Sequence, residues 1–191
     1  MGFKSRKRNA SSRSFREAEI KNLVEGLVAA KREYRRLCRY GESSAEPGKP
    51  CSPEQIALWE EIVGKPMPPS YRAFLELHNG FDGFSGLQKL LSVEDQNAGW
   101  VEVELEGLGD LFEEFAEDDN PFEWGAIPVA LGEISWAPVY AVFDPTTVDA
   151  SGEMALVEYD LVTEQNRYKD FASFLRSKLE TAQRLIEDKK G

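Results

Sequence analysis

Between Ser52 and Phe84 the apolar positions fall into two short stripes at helical spacing, separated by prolines. Ile56, Trp59 and Val63 lie three and four residues apart, so they share one face of a helix. Ser52 is a natural N-cap and Pro53 suits the first helical position. Gln55 sits three residues after Ser52 and completes a capping box. Gly64 then predicts a left-handed stop, and Pro66 forbids continuation. A second helix is predicted from Pro68 and Pro69, where Tyr71, Phe74, Leu75 and His78 recur at i, i+3, i+4 and i+7 and Asn79-Gly80 ends the run. Two small helices with aromatic faces need something to pack on, and a sheet is the expected partner.

The rest of the chain supplies it. Residues 1–14 show no periodicity and read as a disordered basic arm. A helix is predicted over 15–40, its stripe formed by Ile20, Leu23, Val24, Leu27, Val28, Tyr34, Leu37 and Cys38. Residues 41–51 have the composition of a linker. Phe81-Asp82-Gly83-Phe84 reads as a turn, and Leu87, Leu90 and Leu91 lead into the sheet. Trp100 to Leu105 alternates apolar and acidic residues and predicts a half-buried strand. The following stretch to Trp124 reads as a short helical turn or loop. Further strands are predicted at Ile127–Leu131, Pro138–Phe143 and Met154–Tyr159, with turns at Gly132-Glu133 and Asp149–Gly152. A closing helix starts at the N-cap Asp170 and carries Phe171, Phe174, Leu175, Lys178, Ala182, Leu185 and Ile186, with Glu187–Gly191 fraying. The expected fold class is α+β: a mainly antiparallel sheet of four to six strands packed by helices, with an extra N-terminal helix.

Charge changes the picture of partners rather than of fold. The 191 residues carry a net charge of −11, but residues 1–40 hold 12 Lys+Arg against 4 Asp+Glu, and the remainder holds 11 against 30. A body of that sign repels nucleic acid and attracts basic proteins. Glu94 to Glu123 contains twelve acids and no Lys or Arg. It is either a solvated face or a patch that steers a basic partner. Arg32, Arg35, Arg36 and Arg39 suit the negative end of the first helix's dipole, and they also offer a basic face to an acidic partner.

The inventory for catalysis is thin. The single histidine, His78, ends an apolar stripe and reads as a core or helix-end residue rather than a general base. Cys38 and Cys51 flank a loop; a disulfide between them is possible, and the reduced cytoplasmic state is the expectation. No zinc constellation, nucleophile elbow, phosphate loop or dinucleotide fingerprint is present. Glu117, Asp118 and Asp119 lack the spaced oxygens and central glycine of a calcium loop. No metal and no cofactor are expected. The four tryptophans read as core or rim packing, because a base-stacking platform needs basic surroundings. No apolar run is long enough to span a membrane, and the N-terminus lacks a signal-peptide centre. Residues 1–16 hold no acid, which also fits a mitochondrial-type transit segment, but the disordered arm is the plainer reading.

The motif order resembles the SUKH superfamily, the Smi/Knr domain named after a yeast cell-wall regulator. The residues that carry it are Glu60 or Glu61, Val63-Gly64, Met67-Pro68, Tyr71, Phe74-Leu75 and Asn79-Gly80, with Met67 standing where Leu is usual. Downstream, Ile127-Pro128-Val129-Ala130, Tyr140 to Asp144, Gly152 to Asp160 and Phe171 to Leu175 keep the family's order. The resemblance covers residues 52–180, leaving 181–191 as helix end and tail and 94–123 as an acidic insert. It implies a non-enzymatic α+β domain, and in bacterial members an immunity protein that blocks a nuclease or deaminase toxin. The expected partner is a basic protein, contacted by Glu113, Glu114, Glu117, Asp118 and Asp119, with Phe112, Phe115 or Trp124 as aromatic anchors. The protein is expected to be a monomer or weak dimer. The alternative is a regulatory scaffold of the Smi/Knr type whose basic and acidic parts bind different partners or each other, and an enzyme is the third class.

Overall fold

A computed structural model describes residues 3–39, 46–85, 88–115, 120–132 and 139–191, with the side chains of 3–12 outside that description. Five helices surround one sheet: α1 (Phe3–Cys38), α2 (Pro53–Val63), α3 (Pro69–Leu75), α4 (Gly99–Phe115) and α5 (Phe171–Lys190). The strands are β1 (Phe81–Ser85), β2 (Gln88–Leu90), β3 (Ile127–Gly132), β4 (Val139–Asp144), β5 (Ala155–Asp160) and β6 (Thr163–Tyr168). They lie in sequence order, and each pairs antiparallel with the next. The α+β expectation and its sheet are therefore met, at six strands.

The sheet is covered on both faces. Ala141, Phe143 and Leu156 point toward α1, α2, α3 and α5, while Tyr140, Val142, Val157 and Tyr159 point toward α4. This two-sided burial explains why β4 reads as a near-continuous apolar run. Tyr71 of α3 sits at the centre of the first core, with ring centroids 5.0 Å from Phe171 and 5.3 Å from Phe143. Its hydroxyl donates to the Leu91 carbonyl at 3.3 Å, so the phenol is buried without an orphaned polar atom.

The proline corner forms as its residues predict. Gln55 N–H donates to Ser52 Oγ at 3.3 Å and Ser52 N–H to Gln55 Oε1 at 2.8 Å, closing the capping box. Gly64 is left-handed at φ 69°. Glu60 then straps the corner, accepting from Met67 N–H at 2.9 Å and pairing with Arg72.

Several expectations change. The run from Trp100 to Leu105 is helix, not strand: Val101, Leu105, Leu108 and Phe112 turn inward at helical spacing, while Val103 is 65% exposed. Phe81–Phe84 is strand β1, because the two phenylalanines are buried against the first core. β6 was not predicted, since Thr163 to Arg167 are polar and exposed and offer no apolar alternation. α3 stops at Leu75 instead of Asn79. α1 starts at Phe3, so the basic segment read as a disordered arm continues the helix. Its Lys, Arg and Ala are strong helix formers, and no proline occurs before Pro47.

α1 and α5 lie side by side and run parallel. Glu19 pairs with Arg176, a Cβ on Gly26 would sit 3.0 Å from Leu179, and Glu33 pairs with Lys190 at 3.7 Å. α5 is helical to Lys190, where fraying was expected. Leu87, Glu133, Trp136 and Pro138, like linker residues 41–45, lie outside the described residues.

Candidate protein-binding surface

The segment singled out for its acids is built mainly as α4. Its inner stripe packs on β3, β4 and β5: Phe112 lies 5.8 Å from Tyr159 and 6.4 Å from Phe122 by ring centroids, and Tyr159 stacks on Tyr140 at 5.2 Å. Its outer face carries Glu102, Val103, Glu106, Gly107, Asp110, Glu113 and Glu114, all exposed. Glu102–Glu106, Glu106–Asp110 and Asp110–Glu114 are like-charge pairs at i,i+4, each costing about 0.2–0.5 kcal/mol of helix stability. Glu113 and Glu114 also face the negative end of the helix dipole. α4 contains no Lys or Arg to offset this repulsion. Lys89, near its N-terminal end, lies over the Trp100 ring at 5.5 Å but is engaged with Asp95 at 3.0 Å and Asp82 at 3.4 Å.

The expected contact residues separate into three groups. Glu113, Glu114 and Phe115 are exposed on or beside the outer face, with Phe115 56% exposed. Phe112 is corrected from anchor to core residue: at 4% exposure it has no surface to give a partner. Trp124 is half-buried in the turn before β3, and Glu117, Asp118 and Asp119 lie outside the described residues. The expected set leaves out Trp100, Glu102 and Val103, whose stretch reads as a strand, and Glu106 and Asp110, whose stretch reads as a helical turn or loop. The signal was available in the spacing Val101, Leu105, Leu108, Phe112.

α1 lies on the other face of the sheet, where it buries Ile20, Leu23, Val24 and Leu27. Two of its described cations meet acids of the body: Arg13 pairs with Glu76 at 2.7 Å and Arg16 with Glu153 at 3.4 Å. Glu153 is buried, accepting from Ser70 N–H at 3.0 Å and Ser70 Oγ at 2.7 Å. Burial holds its carboxyl above the ordinary carboxylate range, and the bonds to Ser70 and Arg16 only partly counter that. A cleft of about 700 Å³ opens above it between α1, α3 and α5, lined by Phe15, Glu19, Asp149 and Lys169 among others.

His78 is half-buried, with Nδ1 3.3 Å from the Gly48 carbonyl, and burial moves its pKa down. Cys38 and Cys51 are free thiols, and burial together with Glu94 pushes Cys51 up to about 12. Among the described residues no group of acids, Cys and His is placed to hold a metal. No helix among them is long and apolar enough to cross a membrane.

No curated protein matches the chain. Residues 50–177 match the SMI1 / KNR4 family (SUKH-1), a span that takes in the sheet, α2 to α4 and the start of α5 and leaves α1 outside. With the capped helix α2, the proline corner, the buried Tyr71 and the meander of six strands inside that span, the chain belongs to the SMI1 / KNR4 family (SUKH-1).

Proposed function

We propose that this protein is a non-catalytic binding domain that neutralises a basic toxin of the nuclease or deaminase type by covering the surface with which the toxin grips nucleic acid. The observation that supports this is the outer face of α4. Five exposed acids repel one another along a helix that holds no cation, beside the exposed apolar residues Trp100, Val103 and Phe115. A basic partner relieves that repulsion and covers the apolar side chains in one step. Toxins that bind nucleic acid must present such a basic surface.

The test is charge reversal of Glu102, Glu106, Asp110, Glu113 and Glu114 in the full chain, against the partner recovered from the protein's own cells by high-salt elution. Association should slow at least tenfold and lose most of its salt dependence. Unchanged binding and an unchanged salt slope would remove α4 from the contact. Reversal of Glu117, Asp118 and Asp119 is the parallel test for the adjoining segment.

A second reading is a regulatory scaffold of the Smi/Knr type. It draws on α1, which lies outside the family span and exposes Arg32 and Arg36 on the sheet face opposite α4. Recovery of several signalling or cytoskeletal proteins, rather than one stoichiometric basic domain, would favour it.

A further inference from the structure

We propose that the partner meets α4 with an α-helix of its own: a basic amphipathic helix lying along the outer face, with an apolar side chain seated over Gly107 beside Val103. The proposal rests on the protein-binding reading above and names the kind of element that reading requires.

Gly107 carries the argument. It lies in the middle of a 17-residue helix, where glycine is a poorer helix former than alanine. Glycine in a helix is ordinarily retained for a left-handed backbone or for a close neighbour. Gly107 has neither: its φ is not positive, and a Cβ there would meet no described atom within 4 Å. Gly26 is the contrasting case, because Leu179 crosses directly over it. The missing side chain at 107 therefore makes room for none of the described residues. It leaves a notch on the outside.

The notch is bordered in a way that suits a helix. Val103, 65% exposed, stands one turn before it, and Trp100, 42% exposed, marks the N-terminal end of the same strip. Asp110 and Glu114 continue the row at i+7 and i+11 from Val103, and Glu102, Glu106 and Glu113 form the row beside it. An apolar strip with acids alongside matches an amphipathic helix with cations flanking its apolar residues. The absence of a Cβ lets two helix axes approach toward the short end of the usual 8–10 Å range. From Trp100 to Glu114 the strip runs for roughly 21 Å, the length of a partner helix of about four turns. A second copy of α4 is unsuited to it, since acids would face acids. The protein's own α1 lies on the opposite face of the sheet.

The experiment uses the full chain and two synthetic 17-residue peptides of identical composition. One has Lys and Arg on one face and Leu and Ala on the other, with a single Pro at its first position; its isomer carries the same residues scrambled, with that Pro moved to the centre, where it breaks the helix. The helical peptide should bind at least tenfold more tightly than the isomer. Gly107→Gln, which fills the notch and favours the helix, should weaken it at least tenfold while leaving the unfolding midpoint equal or higher. If both peptides bind alike, and both are lost when Glu106 and Asp110 are reversed, the helix proposal fails and the acidic face stands. If neither peptide binds, both the helix proposal and the assignment of α4 as the contact fail.

Discussion

Asn79 Oδ1 accepts the backbone N–H of Val93 at 2.8 Å, while its Nδ2 donates to Glu94 at 2.7 Å. The asparagine that follows α3 thereby anchors the chain leaving β2. Gln55 of the capping box donates to the same Glu94, so α2, the Asn-Gly turn and the approach to α4 share one carboxylate. Asn79→Ala leaves the Val93 N–H without its acceptor and should cost about 1–3 kcal/mol in urea unfolding. Asn79→Asp retains the acceptor but sets a charge against Glu94, so it should recover only part of the loss.

Glu158 of β5 and Lys178 of α5 pair beneath the helix, with 5% and 13% of their side chains exposed. Tyr168 also donates to Glu158, at 3.2 Å. Lys178→Met strands a buried carboxylate and should destabilise the fold by about 3–5 kcal/mol. Adding Glu158→Gln should restore most of that. Equal midpoints for the single and double variants would show that the pair is not coupled.

Lys31 of α1 lies over the Phe81 ring at 5.1 Å, and its buried Nζ has no hydrogen-bond partner among the described residues. Burial, helped by Arg35, pushes its pKa down from 10.5 to about 8. The unfolded chain then holds this proton more tightly than the folded one. The cost of the buried charge is fully present below pH 8, and stability should rise as pH goes from about 8 to 10.5. Lys31→Met should gain about 1 kcal/mol at pH 7, well under the full linkage because the side chain is partly exposed, and should remove the alkaline rise. Thermal unfolding of both proteins between pH 7 and 10 checks the sign.

Glu106 repels Glu102 and Asp110, one turn away on either side. Glu106→Lys turns both contacts attractive, so the free protein should gain about 0.5–1 kcal/mol while partner binding weakens. Stability and affinity moving in opposite directions under one substitution would mark α4 as shaped for a partner. A variant that loses both would instead show a structural role for Glu106.

How much of this was legible depended on whether a local signal was unique. Ser52, Gln55, Gly64 and Tyr71 act through short-range caps and a single stripe, and the structure uses each as the sequence implies. Val101, Val103 and Leu105 alternate as in a strand, while Val101 and Leu105 also share a helix face, and only Leu108 and Phe112, one and two turns later, break the tie. β6 carried no hydrophobic signal because it is an edge strand, held by its ladder to β5 and by Arg167 reaching Asp144 at 2.9 Å. The acids of α4 were visible from the start. Their outward direction was not, since it depends on which residues the sheet takes inward.

The parallel pairing of α1 with α5 sets a timetable for synthesis. The sheet is a meander, so each strand can dock on the one just made, and β1 to β6 can assemble as the chain emerges. α1 precedes the sheet in the chain and packs not only on α3 but also on α5, which follows the sheet, near Leu179 and Lys190. Until α5 is made, the part of the α1 stripe that faces it waits beside a basic flank for a partner more than a hundred residues away. A ribosome-bound nascent chain should therefore display an apolar helix stripe that the finished protein conceals, and that interval is when chaperones have their target.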